Sequence, residues 1–296
     1  MNSCDASWNT TPSGNLFPDT LLLATAFLLA VSIEPPSGVG DALARADAFY
    51  ARRAEGSAYG VAHTEIVDKA IAEYRRAMTL DPSSYEARLG LLRAFWFRGG
   101  FCGMAEKDQI DLFEEAKKLA EQTVKRLDVD VVRKKGKVRL DRAQQIDPSA
   151  EIYLWAAVSW GQWAVSHSLS AAFQAAPARI RDLAKAAVQI DPSIEQGGAL
   201  AVLGRLHTEC PRVVFVTMWV SRQEGLNLLR QARAAMPENP ANAVFLAQAL
   251  LAQKTPGTTE ARQLLQWGAN VIPRPDYLVE DAHYAAEARE LLAQIR

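Results

Sequence analysis

The strongest constraint on this chain is a helical pattern that ends at a proline and recurs along the sequence. In the segment KAIAEYRRAMTLDP, Ala70, Tyr74 and Ala77 fall on one face of a helix that ends before Pro82. The two small residues allow a second helix to approach closely, and the large residue between them fills the remaining space. The proline ends the helix because it lacks an N–H group and restricts the residue before it.

The same spacing occurs four more times. The further copies are Gly136, Leu140, Ala143 and Pro148, which is the weakest; Ile180, Ala184, Ala187 and Pro192; Gly225, Leu229, Ala232 and Pro237; and Ala261, Leu265, Gly268 and Pro273. The five prolines lie 66, 44, 45 and 36 residues apart. This pattern is typical of the second helix of a tetratricopeptide repeat, a two-helix unit with a regular period of about 34 residues. The sequence therefore predicts an all-α, tetratricopeptide-repeat-like helical solenoid, an α-α superhelix.

The helical pattern also predicts the individual elements. Helices are expected near residues 40–55, 63–80, 84–98, 105–127, 133–146, 150–168, 177–190, 195–209, 221–235, 241–253, 258–271 and 278–295. Intervals longer than the regular period predict lengthened helices and inserts. One insert is the apolar, strand-like stretch Pro211–Trp219, which falls between two predicted helices. We expect it to contribute to a binding surface, because inserts in solenoids often lie on the binding face.

The N-terminal segment differs in composition from the rest. Leu21–Ile33 is an apolar run, short for a bilayer span but of the length found in a signal peptide. Residues 1–20 contain no Lys or Arg, so the usual positive start of a signal peptide is missing. A soluble terminal segment is the alternative. The expected organisation is residues 1–33 as signal peptide or membrane anchor, 34–40 as linker and 41–296 as the helical domain, in an exported protein that is periplasmic or membrane-associated.

The overall charge gives no electrostatic reason to expect a polyanionic partner. With 33 basic and 34 acidic residues the net charge is −1, so no global attraction to nucleic acid or to an anionic membrane exists. We expect no nucleic-acid partner.

The three cysteines, Cys4, Cys102 and Cys210, form no CxxC pair. A disulfide between Cys102 and Cys210, or two small buried side chains, are both compatible with the sequence.

No motif for catalysis or metal binding stands out. The four histidines, His63, His167, His207 and His283, are scattered and form no HExxH pair. The chain contains no GxGxxG, GxxxxGK[ST] or GxSxG motif. We therefore expect no enzymatic activity, no cofactor and no bound metal.

The most distinctive segment is IYLWAAVSWGQWAVSHSLSAAF. Within it Tyr153, Trp160, Trp163 and His167 share one helix face, and Trp155 lies off that face. Two interpretations fit this arrangement. The face either packs as a core stripe against the next helix pair or lines a concave groove or pore with aromatic rings.

Three runs resemble the T component associated with TRAP transporters: YLWAAVSWGQWA, LAKAAVQIDPSIEQGGALAVLGRLHTECPRV and GLNLLRQARAAMPENPANAVFLAQALL. The matching motifs are Gly161-Gln162-Trp163, Ile190-Asp191-Pro192, Gly197-Gly198, Leu203-Gly204-Arg205-Leu206, Pro211 and Pro237-Glu238-Asn239. This resemblance spans about residues 65–255. It implies an exported, often oligomeric helical-repeat protein with a central hydrophobic pore or groove, which partners the substrate-binding protein of a transporter.

The expected function is non-enzymatic binding of a protein partner, such as a periplasmic substrate-binding protein, with a hydrophobic ligand and a homo-oligomer as further options. The predicted binding residues are Tyr153, Trp160, Trp163, His167, Arg205, Phe215 and Trp219. Arg205 would orient a carboxylate of the partner or, alternatively, form a salt bridge to a neighbouring helix. Two other functions are compatible with the sequence: a carrier of a hydrophobic small molecule or lipid, and a generic scaffold for protein–protein interaction.

Overall fold

The computed structural model describes residues 38–130, 133–134, 137–138, 148–167, 170–171, 174–253 and 257–295. Within these ranges eleven α-helices dominate. They are α1 Val39–Ala51, α2 Thr64–Leu80, α3 Tyr85–Phe101, α4 Glu106–Asp130, α5 Ser149–Ser166, α6 Ala176–Ile190, α7 Ile194–Glu209, α8 Arg222–Ala235, α9 Pro240–Leu251, α10 Thr258–Ala269 and α11 Leu278–Gln294. Two short strands, β1 Arg133–Lys134 and β2 Lys137–Val138, pair antiparallel, and a 3₁₀ turn at Pro275–Tyr277 precedes α11.

The observed helices follow the prediction closely, with one exception. The helix predicted over 133–146 is wrong where the structure describes this segment, because Arg133–Lys134 and Lys137–Val138 form the two strands. Like charges four positions apart disfavour a helix there, and Gly136 weakens it further. The three helical positions of that weakest copy of the pattern lie outside the described residues.

The helices form an α-α superhelix with two rows. Each helix contacts the next one along the chain, from α1 to α11. Each odd-numbered helix also contacts the following odd-numbered helix, so α1, α3, α5, α7, α9 and α11 form one continuous row. Because helices on the inside of a curved array approach one another most closely, this is the inner row. The arrangement confirms the predicted all-α solenoid.

The inner row closes on itself through its last helix. Helix α11 contacts α3 as well as its neighbours α9 and α10. Val279 at the start of α11 belongs to the large buried cluster that includes Phe97 and Trp163. Ala288, nearer the end of α11, belongs to a second buried cluster with Leu229 and Leu265. The last helix therefore joins the two parts of the hydrophobic core.

Helices approach most closely at small residues, as the repeating pattern predicts. A Cβ atom on Gly225 of α8 would lie 2.6 Å from the Thr208 methyl group and 2.8 Å from the Gly204 carbonyl oxygen. In α3, a Cβ atom on Gly90 would lie 2.2 Å from the ring of Tyr74, the large residue of the first copy. These contacts leave no room for a side chain, so the glycines set the spacing between adjacent helices.

In the described part of the chain, no helix combines the length and the apolar character that a bilayer span needs. The apolar run Leu21–Ile33, with its expected signal or anchor role, lies outside that part, as does Cys4.

Cys102 is buried, Cys210 is half-buried, and both thiols are free. Burial raises the pKa of the Cys102 thiol to about 12. The core therefore packs without a disulfide between these two residues.

Two glycines of α3 provide a matched test of the close helix packing. In Gly90→Ala the new methyl group would lie 2.2 Å from Tyr74, so we expect the free energy of unfolding to fall by about 2 kcal/mol. In Gly100→Ala nothing lies within 4 Å of the new methyl group, so we expect the free energy of unfolding to rise by up to about 1 kcal/mol. Urea unfolding followed by circular dichroism measures both. Equal effects at the two positions would contradict a role of Gly90 in helix spacing.

Candidate functional site

The aromatic face of α5 lies in the packing between helices and not on the inner surface of the superhelix. Tyr153, Trp160 and Trp163 are buried, and Trp163 is only 1% exposed. The Trp163 indole N–H donates a hydrogen bond to Glu114 of α4. The Lys117 ammonium of α4 lies 4.3 Å from the centroid of the Trp163 ring. The structure thus places three of the predicted binding residues in the core, and their binding role stays a prediction.

His167 and Trp160 lie at the margins of this aromatic face. The His167 ring stacks on Trp163 with centroids 4.9 Å apart. Trp160 borders a cavity of about 540 Å³ between α4, α5 and α6. The other residues lining the cavity are Ala120, Glu121, Val124, Lys125, Asp128, Arg179, Asp182 and Leu183. Five of these are charged, so this space differs from the closed apolar cavity that a lipid carrier needs.

A different group of side chains meets on the inner row. Trp155 of α5 packs edge-to-face on Trp96 of α3, with ring centroids 5.2 Å apart. The Trp155 indole N–H donates to Glu195 of α7 at 3.3 Å. Arg93 of α3 forms an ion pair with the same carboxylate at 3.2 Å. Three consecutive helices of the inner row are therefore joined at Glu195.

The backbone at the start of α7 is strained. Glu195, Gln196 and Gly197 have φ angles of 45°, 60° and 78°, all in the left-handed region. For a residue with a side chain this conformation costs about 1 kcal/mol or more. The Gln196 amide oxygen accepts a hydrogen bond from Arg274, and its main-chain carbonyl accepts one from Asn242 at 3.4 Å. These contacts hold the strained turn, which places Glu195 against the inner row.

A buried ion pair links the two ends of the helical domain. Arg53, which follows α1, donates to Glu280 Oε1 of α11 from Nε at 3.1 Å and from Nη2 at 2.8 Å. Arg53 is 8% exposed and Glu280 is 5% exposed. The guanidinium also lies 4.6 Å from the centroid of the Tyr50 ring. Because both charges are removed from water, each requires the other for compensation.

Arg205 lies between α7 and α9. Its Nε atom pairs with Glu209 Oε1 on the same helix at 2.7 Å, and its guanidinium lies 4.4 Å from the centroid of the Phe245 ring. Burial lowers the pKa of Arg205, but Glu209, Tyr284 and Glu287 together raise it, so that the pKa stands above its ordinary value. The predicted alternative, a salt bridge from Arg205 to a neighbouring helix, is wrong, because its partner Glu209 lies one turn away on the same helix. Its role in binding a carboxylate of another protein stays a prediction.

The insert Pro211–Trp219 forms a turn in the connection between α7 and α8, although its apolar sequence is strand-like. The buried Thr217 hydroxyl donates to the Pro211 carbonyl at 2.5 Å and accepts from the Val213 N–H at 2.7 Å. Phe215 stands at the tip with a φ angle of 66° and is 95% exposed. The Thr217 hydroxyl thus supplies hydrogen bonds to the main chain that a neighbouring strand would supply in a sheet.

The base of the insert packs on His207 of α7. The ring of Trp219 meets His207 edge-to-face with centroids 5.4 Å apart. His207 is buried, and its Nδ1 accepts the N–H of Ser221, the residue that caps α8, at 3.1 Å. Burial lowers the pKa of His207. The Glu224 carboxylate opposes this shift, and the cations Lys185 and Arg181 add to it. The neutral imidazole is therefore the form that holds this corner.

The structure separates the seven predicted binding residues into different places. Tyr153, Trp160, Trp163 and His167 belong to the packing around α5, Arg205 faces α9, and Phe215 and Trp219 belong to the insert. Sequence reasoning missed the inner group built on Glu195. The one available signal was Trp155, a tryptophan off the main aromatic stripe of α5. Across the described residues, no group of three or more His, Cys, Asp or Glu side chains is placed to hold a metal ion.

Comparison with known proteins establishes the fold. No protein-family model matches the chain, and no curated protein matches its sequence. Among solved structures, a tetratricopeptide-repeat protein from the thermophile Thermus thermophilus is similar, with a TM-score of 0.52. The two chains are 14% identical, and the similarity covers 87% of this chain and 98% of the other. This confirms the predicted tetratricopeptide-repeat-like solenoid, and at such low identity it speaks for the fold alone.

The exposed ion pair between Arg230 and Glu260 serves as a control for the buried pair between Arg53 and Glu280. Arg53→Met leaves the Glu280 carboxylate buried without its partner, so we expect the free energy of unfolding to fall by about 3 kcal/mol or more. Arg230→Met removes an ion pair with Glu260 in which the side chains are 44% and 46% exposed, so we expect a loss below about 1 kcal/mol. Urea unfolding measures both changes. A loss for Arg53→Met as small as that for Arg230→Met would show that closure does not depend on this pair.

The buried imidazole at the base of the insert should make stability depend on pH. Because folding lowers the pKa of His207, the unfolded chain binds a proton at a higher pH than the folded chain does. The contribution of His207 to stability is therefore complete above its ordinary pKa and is lost as the pH falls toward the lowered value. Urea midpoints at pH of about 7.5 and 5.5 measure this loss. His207→Asn keeps an acceptor for Ser221 without a titrating ring, and an unchanged pH dependence in that variant would refute the assignment.

Proposed function

We propose that this protein is a non-enzymatic, tetratricopeptide-repeat-like scaffold that binds a protein partner. Helical-repeat solenoids support such a role because stacked units present an extended and rigid surface. In this chain, α11 packs against α3 and α9 of the inner row, which occupies part of the surface where a concave groove was expected. The partner surface proposed here therefore lies on the connections between helices, where apolar side chains remain exposed.

The observation that carries this proposal is the exposure of Tyr59 at the tip of a tight turn. Tyr59 is 98% exposed and has a left-handed φ angle of 54°. The turn is closed by hydrogen bonds between Ala58 and Val61 in both directions, at 3.0 and 2.9 Å. The Ala62 N–H then donates to the Phe101 carbonyl at 2.8 Å. An exposed tyrosine at the tip of a hydrogen-bonded turn suits protein recognition, since tyrosine is enriched among the residues that dominate interface affinity.

The turn that carries Tyr59 also rests on the closed inner row. A Cβ atom on Gly60 would lie 2.6 Å from the His283 backbone nitrogen of α11, so only glycine permits this close approach. Gly60 has a φ angle of 78°, which glycine adopts without strain. Val61, beside Tyr59, is half-exposed and extends the apolar surface. The position of Tyr59 therefore depends on the docking of α11.

The finer part of the proposal is that the partner is a periplasmic substrate-binding protein. It rests on the resemblance to the T component of TRAP transporters, carried by motifs such as Gly161-Gln162-Trp163 and Pro237-Glu238-Asn239. Under this proposal residues 1–33 export the protein or anchor it at the membrane. Binding of a hydrophobic ligand is a weaker candidate function, because five of the nine residues that line the cavity beside Trp160 carry charged side chains.

Site-specific crosslinking in the cells that make this protein tests the proposal. Benzoylphenylalanine in place of Tyr59 keeps an aromatic ring at the tip of the turn, so we expect a discrete crosslinked product with another protein. The control carries the same amino acid in place of Ile272, which is 87% exposed in a different connection, and should not give that product. Absence of a product at position 59, or identical products at both positions, would contradict the scaffold proposal.

Mass spectrometry of the crosslinked product addresses the finer proposal. A substrate-binding protein in the product supports a role as a T component. A different protein rejects that role but leaves the scaffold in place. A product that contains only a second copy of this chain would identify the Tyr59 turn as a contact within a homo-oligomer.

A further inference from the structure

The insert Pro211–Trp219 leaves a continuous run of apolar side chains in solvent. Phe215 at its tip is almost fully exposed, and Val213, Val214, Val216 and Met218 are exposed as well. Single exposed apolar residues are common on proteins, whereas contiguous apolar patches mark sites of contact. The insert is therefore a candidate contact surface.

Several hydrogen bonds form within the main chain of the insert and to the Thr217 hydroxyl. The N–H groups of Val216 and Thr217 donate to the Val213 carbonyl at 3.2 and 2.9 Å. The Val213 N–H donates to the Thr217 hydroxyl, and the Val220 N–H donates to the Thr217 carbonyl at 3.0 Å. A segment that enters an apolar medium must pair such groups internally, because that medium offers no hydrogen bonds. The turn thus pairs part of its main chain internally and presents its apolar side chains outward.

The charge beside the insert is positive. Between Glu209 and Glu224 the chain contains Arg212 and Arg222 and no acidic residue. Glu209 is already paired with Arg205 on α7. Although the whole chain has a net charge of −1, the connection between α7 and α8 therefore carries a local excess of positive charge. Local charge, not the net charge of the chain, governs contact with a charged surface over a distance of about 10 Å.

We propose that the insert docks this protein onto a lipid bilayer that contains anionic headgroups. Phe215 and the exposed valines enter the boundary between headgroups and acyl chains, while Arg212 and Arg222 contact the phosphates. Trp219, which lies 4.5 Å from the Arg181 guanidinium, stands at the base of the insert, at the depth that tryptophan favours in membranes. A convex apolar tip beside arginines suits a bilayer because a bilayer needs no preformed pocket to receive it. This inference is independent of the Tyr59 turn.

Tryptophan fluorescence of the full chain tests the proposal. In Phe215→Trp the new indole stands at the tip of the insert. We expect its contribution, measured against the unmodified protein, to shift to shorter wavelength on addition of vesicles of phosphatidylcholine and phosphatidylglycerol. Ile272→Trp places an indole at a similarly exposed position outside the insert, and we expect no shift there. Vesicles of phosphatidylcholine alone should give a smaller shift at position 215.

Partition into the anionic vesicles gives a second measurement. We expect Phe215→Ser to lower the partition coefficient about tenfold, because one large apolar side chain no longer enters the bilayer. Arg212→Gln should lower it about fivefold through the lost headgroup contact. Ile272→Ser should leave it unchanged.

Three outcomes would overturn the proposal. The first is the absence of any shift at position 215 with either kind of vesicle. The second is a shift at position 215 that grows with protein concentration without lipid, which would assign the insert to a contact between two copies. The third is an equal shift at positions 215 and 272, which would show that vesicles bind the chain without selecting the insert. The emission at position 215 is decisive, because residues 1–33 are themselves expected to contribute to total binding.

Discussion

The docking of α11 against α3 and α9 is the contact on which the rest of this structure depends. It joins residues from opposite ends of the helical domain, since Arg53 and Glu280 are 227 positions apart in the chain. Both charged groups are buried, so loss of either one would leave the other without compensation in the core. Through Val279 and Ala288 the same helix also joins the two hydrophobic clusters. An open stack of helix pairs thereby becomes a closed one.

The packing of α11 on the inner row determines which side chains remain exposed for binding. With α11 on the inner row, the aromatic and charged residues around Glu195 connect helices to one another. The exposed apolar side chains lie on two connections, the turn at Tyr59 and the insert at Pro211–Trp219. Both connections contain a residue with a side chain in the left-handed region, Tyr59 and Phe215. Strained, exposed residues on rigid turns are typical of binding elements, because folding alone gives no reason to keep them.

The fold was accessible from the sequence, and the site was accessible only in part. Helix positions follow from the period of small and large residues, and Gly225 shows that this period also encodes the spacing between helices. The helix predicted over 133–146 is wrong at the residues that the structure describes there, Arg133–Lys134 and Lys137–Val138, because like charges and Gly136 oppose a helix. For the aromatic stripe of α5, periodicity correctly placed Tyr153, Trp160 and Trp163 on one face. It could not tell which neighbours that face meets, because a core stripe and a groove lining share the same period.

The sequence by itself determined the class of this protein: an all-α repeat whose helices end at prolines, with an insert between α7 and α8. These features are local, since each depends on residues within one or two turns of helix. Only the tertiary structure decided that the α5 stripe is core, that Trp155 faces the inner row and that Arg53 meets Glu280. The physical reason is that each helix pair adds a small rotation to the superhelix. Contacts between the two ends of the helical domain therefore depend on the whole chain. Exposure of Tyr59 and Phe215 follows from the turns that hold them, and no spacing in the sequence records it.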